Sequence, residues 1–203
     1  MADLFADLIP PGPILPGLAA RDAFVTAAEE RALIDAIDAA GLAPFRFQGW
    51  EGKRLTRSFG WTYDFDSGRF DEAEPIPGWL GPLRARAEDF AGLAPGALVQ
   101  ALVIRYDPGA GIGWHRDRPV FDRVVGISLG HAAVMRFRRR VGDRFERARL
   151  PLVPRGAYAL DGAARHEWEH SIAAVDRPRW SVTFRSLEPD RLRRKRCALP
   201  PIT

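Results

Sequence analysis

His115 and Asp117 are the residues whose types and spacing first suggest chemistry in this sequence. They follow an apolar run that ends in Arg105-Tyr106 and a turn rich in glycine and proline. Side chains two positions apart on an extended segment point to the same side, so an imidazole and a carboxylate can converge on one point. A His-x-Asp pair is also typical of a solvated turn, so the rest of the sequence must decide between a turn and a metal site.

A second histidine, His170, and a strand-like segment at 179–185 lie downstream. Two histidines and one carboxylate match the facial triad that holds Fe(II) and leaves positions open for O₂ and a co-substrate. With a period of two, one face of the downstream segment carries Arg179, Ser181, Thr183 and Arg185, and the other carries Trp180, Val182 and Phe184. Two arginines on one face can fork onto the carboxylates of a small dicarboxylate, although an ordinary half-buried strand has the same pattern.

Three segments together resemble the AlkB family of Fe(II)/2-oxoglutarate dioxygenases. They are RYDPGAGIGWHRD at 105–117, RHEWEHSI at 165–172 and RWSVTFR at 179–185. The resemblance extends from about Phe45 to Leu187. It implies that His115, Asp117 and His170 bind Fe(II), and that the reaction consumes 2-oxoglutarate and O₂.

The resemblance also implies roles for residues around the metal. Arg179 would bind the distal carboxylate of 2-oxoglutarate, and Tyr106 would form a hydrogen bond with this co-substrate. Arg185 would lie near the end of 2-oxoglutarate whose carboxylate chelates iron. We therefore predict a catalytic role for Arg185 as well as for the three metal ligands. The sequence departs from the family at Ile104 and Ser181, where asparagine is frequent, but Ser181 stays among the cofactor-binding candidates.

The segment from about 45 to 75 corresponds to the substrate lid of AlkB-like proteins. Arg57, Trp61 and Tyr63 are its candidate substrate contacts, because an exposed ring beside an arginine can stack a base and hold its phosphate. The alternative places the aromatic rings in the core and Arg57 in water. Two further candidates lie outside the lid. Arg118 stands where DNA-repair members carry an acidic residue, and Arg138 lies in a strand whose arginines either contact phosphate or form a solvated edge.

Secondary-structure signals place these residues in a mainly β fold. Thr26 and Glu29 form a capping-box pattern ahead of a helix over 30–40, and a second helix is expected over about 80–90. Strands are expected at 122–130 and 134–140, with a hairpin over 147–160 that turns at 154–157. Short strands after two early helices predict a double-stranded β-helix, or jelly roll, with flanking helices and an N-terminal substrate lid.

The 203 residues suit one domain with short extensions. We expect a Pro-rich arm at 1–20, an AlkB-like dioxygenase domain at 21–187 and a basic tail at 188–203. The formal net charge of +4 favours anionic partners. No apolar run could span a membrane, the N-terminus is acidic where a signal peptide is basic, and Cys197 is the single cysteine. A cytoplasmic monomer without membrane contact is therefore expected.

These features predict oxidative demethylation of alkylated nucleobases in single-stranded DNA or RNA, which is a nucleic-acid repair activity such as DNA repair. The same chemistry on a tRNA base or a protein is the alternative, because the missing acid after Asp117 leaves room for another substrate. A catalytically silent jelly-roll binding module is the third possibility, and the intact set of candidate site residues argues against it.

Overall fold

Two antiparallel β-sheets face each other in the computed structural model, which describes residues 15–47, 49–63 and 68–188. Most of the predicted Pro-rich arm (1–14) and nearly all of the predicted basic tail (189–203) lie outside the described residues. None of the described helices is long and apolar enough to cross a membrane.

The described part of the chain forms the following elements in sequence order. The strands are β1 (Leu18–Arg21), β2 (Ala43–Phe47), β3 (Trp50–Phe59), β4 (Trp61–Tyr63), β5 (Phe70–Glu72), β6 (Leu98–Tyr106), β7 (Ile112–His115), β8 (Phe121–Gly130), β9 (Ala133–Val141), β10 (Arg144–Leu152), β11 (Ala157–Leu160), β12 (Glu169–Ile172) and β13 (Arg179–Leu187). The helices are α1 (Ala27–Asp38), α2 (Gly81–Phe90), which follows a 3₁₀ turn at Gly78–Leu80, and α3 (Gly162–His166).

The larger sheet has seven strands in the order β1-β11-β8-β13-β6-β3-β2, and the smaller sheet has four in the order β10-β9-β12-β7. Strands β4 and β5 form a separate two-stranded sheet. The neighbours in both main sheets are antiparallel and are mostly far apart in sequence, as in a jelly roll. The predicted mainly β fold with flanking helices is confirmed.

Helices α1 and α2 cover the outer face of the larger sheet. Thr26 and Glu29 form the predicted capping box, with reciprocal backbone–side-chain bonds of 2.7 and 3.2 Å. Leu33 and Ile37 of α1 and Leu83 of α2 are buried in one cluster with apolar side chains of β6, β8 and β13. Both predicted helices are therefore present, and they pack as a layer that supports the sheet.

A second core lies between the two sheets. It contains Ile104 of β6, Met135 and Phe137 of β9, Leu150 of β10 and Ile172 of β12. Neighbouring residues of β6 enter different cores, because side chains alternate across a strand. The alternation in β13 likewise places Val182 and Phe184 on the helix side. The polar positions of β13 therefore face the space between the sheets.

The hairpin predicted over 147–160 is wrong. Strand β10 pairs with β9, whereas β11 pairs with β8 and β1. The turn at 153–156 thus carries the chain from the smaller to the larger sheet. The actual hairpin joins β9 to β10 around Gly142, whose φ of 58° suits a tight turn. Local turn signals mark where a strand ends, but they do not reveal which strand it joins.

The segment predicted as the lid divides into two parts. Residues 55–59 of β3 are paired with β6 and therefore belong to the larger sheet. The β4–β5 hairpin follows and contacts Phe121, at the start of β8, through Phe70 with the ring centroids 5.5 Å apart. Residues 48 and 64–67 of the predicted lid lie outside the described residues.

Candidate metal centre and co-substrate pocket

The two histidines predicted as metal ligands lie opposite each other on β7 and β12. His115 and His170 are direct register partners, and their ring centroids are 4.3 Å apart. Asp117 follows β7 on the same side as His115. Each of these three residues offers a ligand atom, and all three atoms lie within 4.8 Å of one another.

Hydrogen bonding and burial prepare both imidazoles for a metal. Nδ1 of His115 lies 2.9 Å from the carbonyl oxygen of Gly113. A carbonyl only accepts, so Nδ1 carries the proton and Nε2 is left as the ligand nitrogen. Burial lowers the pKa of His115, and it lowers the pKa of His170 to about 3. Both rings are therefore neutral near pH 7, as metal coordination requires.

Arg185 holds the carboxylate of Asp117. Its Nε lies 3.2 Å from Oδ2 and its Nη2 lies 3.2 Å from Oδ1, while Nη1 donates to Oε1 of Gln100 at 2.9 Å. Burial raises the pKa of Asp117, but the charge and the hydrogen bonds of Arg185 hold it well below its usual range. Arg185 thus already forms hydrogen bonds with Asp117 and Gln100, and a contact with the co-substrate would be an additional one.

The three candidate ligands, two neutral imidazoles and one anionic carboxylate, converge on one point and suit Fe(II). This donor set occupies one side of the metal and leaves the other side for exogenous ligands. The paired arginine also fixes the carboxylate orientation, in the way that outer hydrogen bonds orient metal ligands generally. The residues present therefore match the metal that the sequence resemblance implies.

Arg179 lies in the interior with two unsatisfied donors. Its residue exposure is 1%. Nη2 donates to the hydroxyl of Ser128 at 3.2 Å, but Nε and Nη1 have no hydrogen-bond partner among the described residues. Burying a cation with unpaired N–H groups costs free energy, so such a group is typical of an anion site. The two free donors suit the two oxygens of one carboxylate.

Tyr106 and Ser181 share the inner face with Arg179. Tyr106 is the cross-strand partner of Arg179, and the guanidinium carbon lies 5.0 Å from the centroid of the tyrosine ring. Ser181 is buried two residues further along β13, between Ile104 of β6 and Ser128 of β8. The structure therefore brings all the predicted co-substrate residues to one side of the larger sheet.

Arg54 is a pocket residue that the sequence analysis missed. Its neighbour Leu55 pairs with Arg105, so Arg54 of β3 lies beside Tyr106. The guanidinium stacks 3.9 Å from the ring centroid of Phe45, and its buried Nε has no partner among the residues described. Burial lowers the pKa of Arg54, whereas the negative charge of Asp117 raises it. The period-two pattern of β3, which separates Arg54 from Arg57, was the available signal.

Arg57 and Trp61 are not brought to this pocket. Arg57 pairs in register with Val103, on the helix side of the sheet. Its Nη1 donates to the carbonyl of Ala40, and its Nη2 lies 2.7 Å from Oε2 of Glu74. Trp61 stacks on Phe70 with the ring centroids 4.7 Å apart, and it packs against a small buried cluster that includes residue 121. Trp61 thus packs against the core, as the alternative expects, whereas Arg57 is paired with other groups of the protein instead of lying in water.

The remaining substrate candidates lie on different sides of the metal centre. The guanidinium of Arg118 lies 4.4 Å from the ring centroid of Tyr63, so the residue after Asp117 contacts the predicted lid. Arg138 lies on the outer face of the smaller sheet, where its Nε donates to Oε2 of Glu169 at 2.6 Å. Arg138 is therefore separated from the two histidines by the thickness of the sheet.

A buried arginine that the sequence analysis did not select fixes the loop after Asp117. Arg165 of α3 is 4% exposed. It donates to the carbonyl oxygens of Arg118 at 2.8 Å, Phe121 at 2.6 Å and Asp122 at 2.8 Å. Three carbonyls converging on one guanidinium hold the loop in one conformation, and this loop begins at the candidate ligand.

Comparisons with known proteins agree with this geometry. A family model described as the 2OG-Fe(II) oxygenase superfamily matches residues 22–199. The chain is 26% identical over 166 residues to the mouse (Mus musculus) tRNA (carboxymethyluridine(34)-5-O)-methyltransferase ALKBH8, covering 77% of this chain and 24% of that protein. It is 29% identical over 201 residues to the Arabidopsis thaliana alkylated DNA repair protein ALKBH8 homolog, covering 85% and 56%.

The fold has a solved counterpart. The structure titled "The structure of OsALKBH1" matches with a TM-score of 0.63 at 16% identity, covering 84% of this chain and 96% of that chain. This likeness establishes the fold and extends over nearly all of the solved chain. The curated relatives are longer, and this chain spans about a quarter to just over half of their lengths.

Proposed function

This chain belongs to the 2OG-Fe(II) oxygenase superfamily, and we propose that it oxidatively demethylates alkylated nucleobases in single-stranded DNA or RNA. The observation that best supports the enzymatic part of the proposal concerns Arg179. Arg179 is a buried guanidinium with two donors that lack a partner among the described residues, and it lies on the larger sheet, which faces the smaller sheet that carries the two histidines. Such a group is what a dicarboxylate co-substrate requires.

In the proposed mechanism, His115, Asp117 and His170 would hold Fe(II). Bound Fe(II) supplies the oxidation of a substrate C–H bond, with O₂ and 2-oxoglutarate consumed and succinate and CO₂ released. An N-methyl group oxidised in this way is lost as formaldehyde. The side chains bind and orient the reactants, and Arg185 keeps Asp117 ionised and directed at the metal site.

The co-substrate is held by the inner face of β13 and β6. Arg179 would bind its distal carboxylate through the donors that lack a partner among the described residues, and Tyr106 lies under that guanidinium. Ser181 replaces a longer amide side chain, so its hydroxyl leaves more space near the co-substrate. Arg179, Tyr106 and Ser181 are all buried, and charged contacts are stronger in such an environment than in water.

Cationic and aromatic groups near the metal centre favour a nucleic acid over a neutral substrate. Nε of Arg54 has no partner among the described residues, and Arg118, which follows Asp117 directly, lies over the ring of Tyr63. Such pairs can hold a phosphate and a base together once the nucleotide has left its stack. The names of the mouse and Arabidopsis relatives refer to tRNA modification and to alkylated DNA repair, and both are nucleic-acid functions.

Succinate and formaldehyde release from matched substrates tests the proposal. The protein would be loaded with Fe(II) and 2-oxoglutarate without O₂, checked for the visible charge-transfer band, and then exposed to O₂. The substrates are N-methylated single-stranded DNA, the same sequence as RNA, unmodified tRNA and a methylated peptide. The His170→Ala variant serves as the metal-binding control.

One formaldehyde for each succinate with a methylated oligonucleotide is the expected result. Succinate release with tRNA and no formaldehyde would transfer the assignment to tRNA-base hydroxylation, and turnover with the peptide alone would transfer it to a protein substrate. Absence of both the absorbance band and succinate would contradict the enzymatic proposal and favour a silent binding module.

A further inference from the structure

The outer face of the smaller sheet carries arginines that the proposed chemistry does not use. Inward positions of β9 and β10, such as Phe137 and Leu150, are buried between the sheets. The outward positions alternate with them. Five of them, which we call the arginine face, are Arg136, Arg138, Arg140, Arg147 and Arg149.

Like charges lie directly opposite each other on the arginine face. Arg149 is the register partner of Arg136, and Arg147 is the register partner of Arg138. Directly opposed like charges destabilise an antiparallel pair, so these arginines do not stabilise the pairing of β9 with β10. Glu169 neutralises Arg138, but Arg147 and Arg149 are exposed and form no hydrogen bond or ion pair with the residues that the structure describes.

Aromatic side chains lie among these cations. The guanidinium of Arg138 lies 4.5 Å from the ring centroid of Trp114 and 5.0 Å from that of Phe145, and Arg136 lies 5.3 Å from that of Trp114. Phe145 is 43% exposed. Together with Val134 and Val141 it makes up the exposed large hydrophobic side chains of the described residues, and all three belong to the β9–β10 hairpin.

Exposed arginines interleaved with rings are the combination that binds single strands, because phosphates meet the cations and bases stack on the rings. We infer that the arginine face binds the phosphate backbone of a single-stranded nucleic acid, outside the candidate catalytic pocket. This inference rests on the nucleic-acid substrate of the proposed function, but it does not depend on the oxidative chemistry.

The topology connects this face to the pocket. Trp114 and His115 are successive residues of β7, so their side chains lie on opposite faces of the smaller sheet. Strand β7 is an edge strand of that sheet. A nucleic-acid strand that crosses the arginine face can therefore pass around β7 to reach the side that carries His115. The face would hold the flanking nucleotides while the target base enters the pocket.

Salt-dependent binding by the full-length chain tests the inference. Fluorescence anisotropy would follow a labelled, unmodified oligothymidylate and a matching oligouridylate, with no metal or co-substrate present. The variant carries Arg147→Gln and Arg149→Gln, which removes two charges that form no ion pair among the described residues. The matched control carries Arg31→Gln and Arg177→Gln, at exposed arginines that likewise form no ion pair among the described residues, so both proteins lose the same net charge.

The expected result is a weaker and less salt-sensitive complex for the face variant only. Each phosphate contact to a single strand contributes about 0.7 to the slope of log affinity against log salt concentration, so losing two contacts should lower the slope by about 1.4. At ~0.1 M salt, this loss corresponds to roughly 25-fold weaker binding. Both double variants should retain the circular dichroism spectrum and the melting temperature of the wild type within a few degrees. Binding should also persist in protein that lacks oxidative activity.

Equal losses in the face variant and the control would overturn the inference, because the effect would then reflect net charge alone. An unchanged slope in the face variant would do the same. Vesicles containing anionic phospholipid provide a further arm. If they bind through Arg147 and Arg149 while the oligonucleotides do not, the face is a membrane-binding surface and the inference is wrong.

Discussion

Replacing Arg179 with methionine should produce opposite effects on co-substrate binding and on the stability of the ligand-free protein. The guanidinium is 1% exposed, and two of its nitrogens have no partner among the described residues. We propose that a carboxylate of 2-oxoglutarate satisfies them. Methionine has a similar length and fills the space without bringing charge or donors.

The magnitudes follow from these contacts. A hydrogen bond between charged groups contributes about 1.5–3 kcal/mol, so losing two should weaken 2-oxoglutarate binding by about 3 kcal/mol or more, which is at least roughly 100-fold. Without ligand, the variant no longer buries two unsatisfied donors, each of which costs about 1–3 kcal/mol. The lost bond to Ser128 offsets part of this gain, so the free energy of unfolding should rise by about 1–3 kcal/mol.

Urea unfolding with and without 2-oxoglutarate measures both effects, with Mn(II) in place of iron to prevent turnover. At 100 times its dissociation constant, a ligand stabilises the folded protein by about 2.7 kcal/mol. At the same concentration, a variant with 100-fold weaker binding should gain only about 0.4 kcal/mol. Arg149→Met, at an exposed arginine, is the matched control and should change neither quantity.

A fall of several kcal/mol in the ligand-free stability of Arg179→Met, together with an unchanged response to 2-oxoglutarate, would refute this reasoning. It would mean that Arg179 stabilises the interior and that another group binds the co-substrate. The Arg179→Lys variant separates charge from geometry. A single ammonium cannot place two donors on one carboxylate as the guanidinium does, so partial recovery of binding is expected.

Further predictions concern the metal centre and its support. Asp117→Ala should abolish metal binding and also lower the free energy of unfolding by about 3–5 kcal/mol, because Arg185 is left buried without its anion. His115→Ala should abolish metal binding with a much smaller loss of stability. Equal losses of the two variants in urea unfolding would contradict this prediction. The pKa of His170 is lowered to about 3 in the folded protein. As pH falls below about 6.5, this histidine becomes protonated in the unfolded chain but not in the folded chain, which favours unfolding. Metal-free protein should therefore lose about 2 kcal/mol between pH 7.5 and pH 5 through this group, and His170→Phe should flatten that urea-derived profile. Arg165→Ala should lower the free energy of unfolding by about 3 kcal/mol, because three carbonyls lose a charged donor, and a smaller loss in Arg165→Lys would show that the charge alone supplies part of the effect.

Local patterns were sufficient to predict the two flanking helices and the faces of β13. Thr26 and Glu29 satisfy each other's backbone groups within four residues, so the start of α1 is written locally. The alternation over 179–185 likewise separates the pocket residues from Val182 and Phe184 without reference to any other strand. The types and spacing of His115, Asp117 and His170 also indicated a metal site, and the structure brings them together.

Partners that are distant in sequence were not predictable. The turn at 153–156 looked like a hairpin, but β10 and β11 belong to different sheets. The sequence analysis selected Arg57 as a lid contact and did not select Arg54. The pairing of β3 with β6 places Arg57 on the helix side and Arg54 in the pocket.

The sequence alone thus determined the residue chemistry, the amphipathic faces and the family, because these depend on residue type and on short periods along the chain. Tertiary structure decided what each charged group meets. Arg185 bonds to Asp117 and Gln100, whereas Arg179, on the same face of the same strand, has two donors without a partner among the described residues. This difference arises from strand order and register, which depend on contacts between residues far apart in the chain, and no local period encodes them.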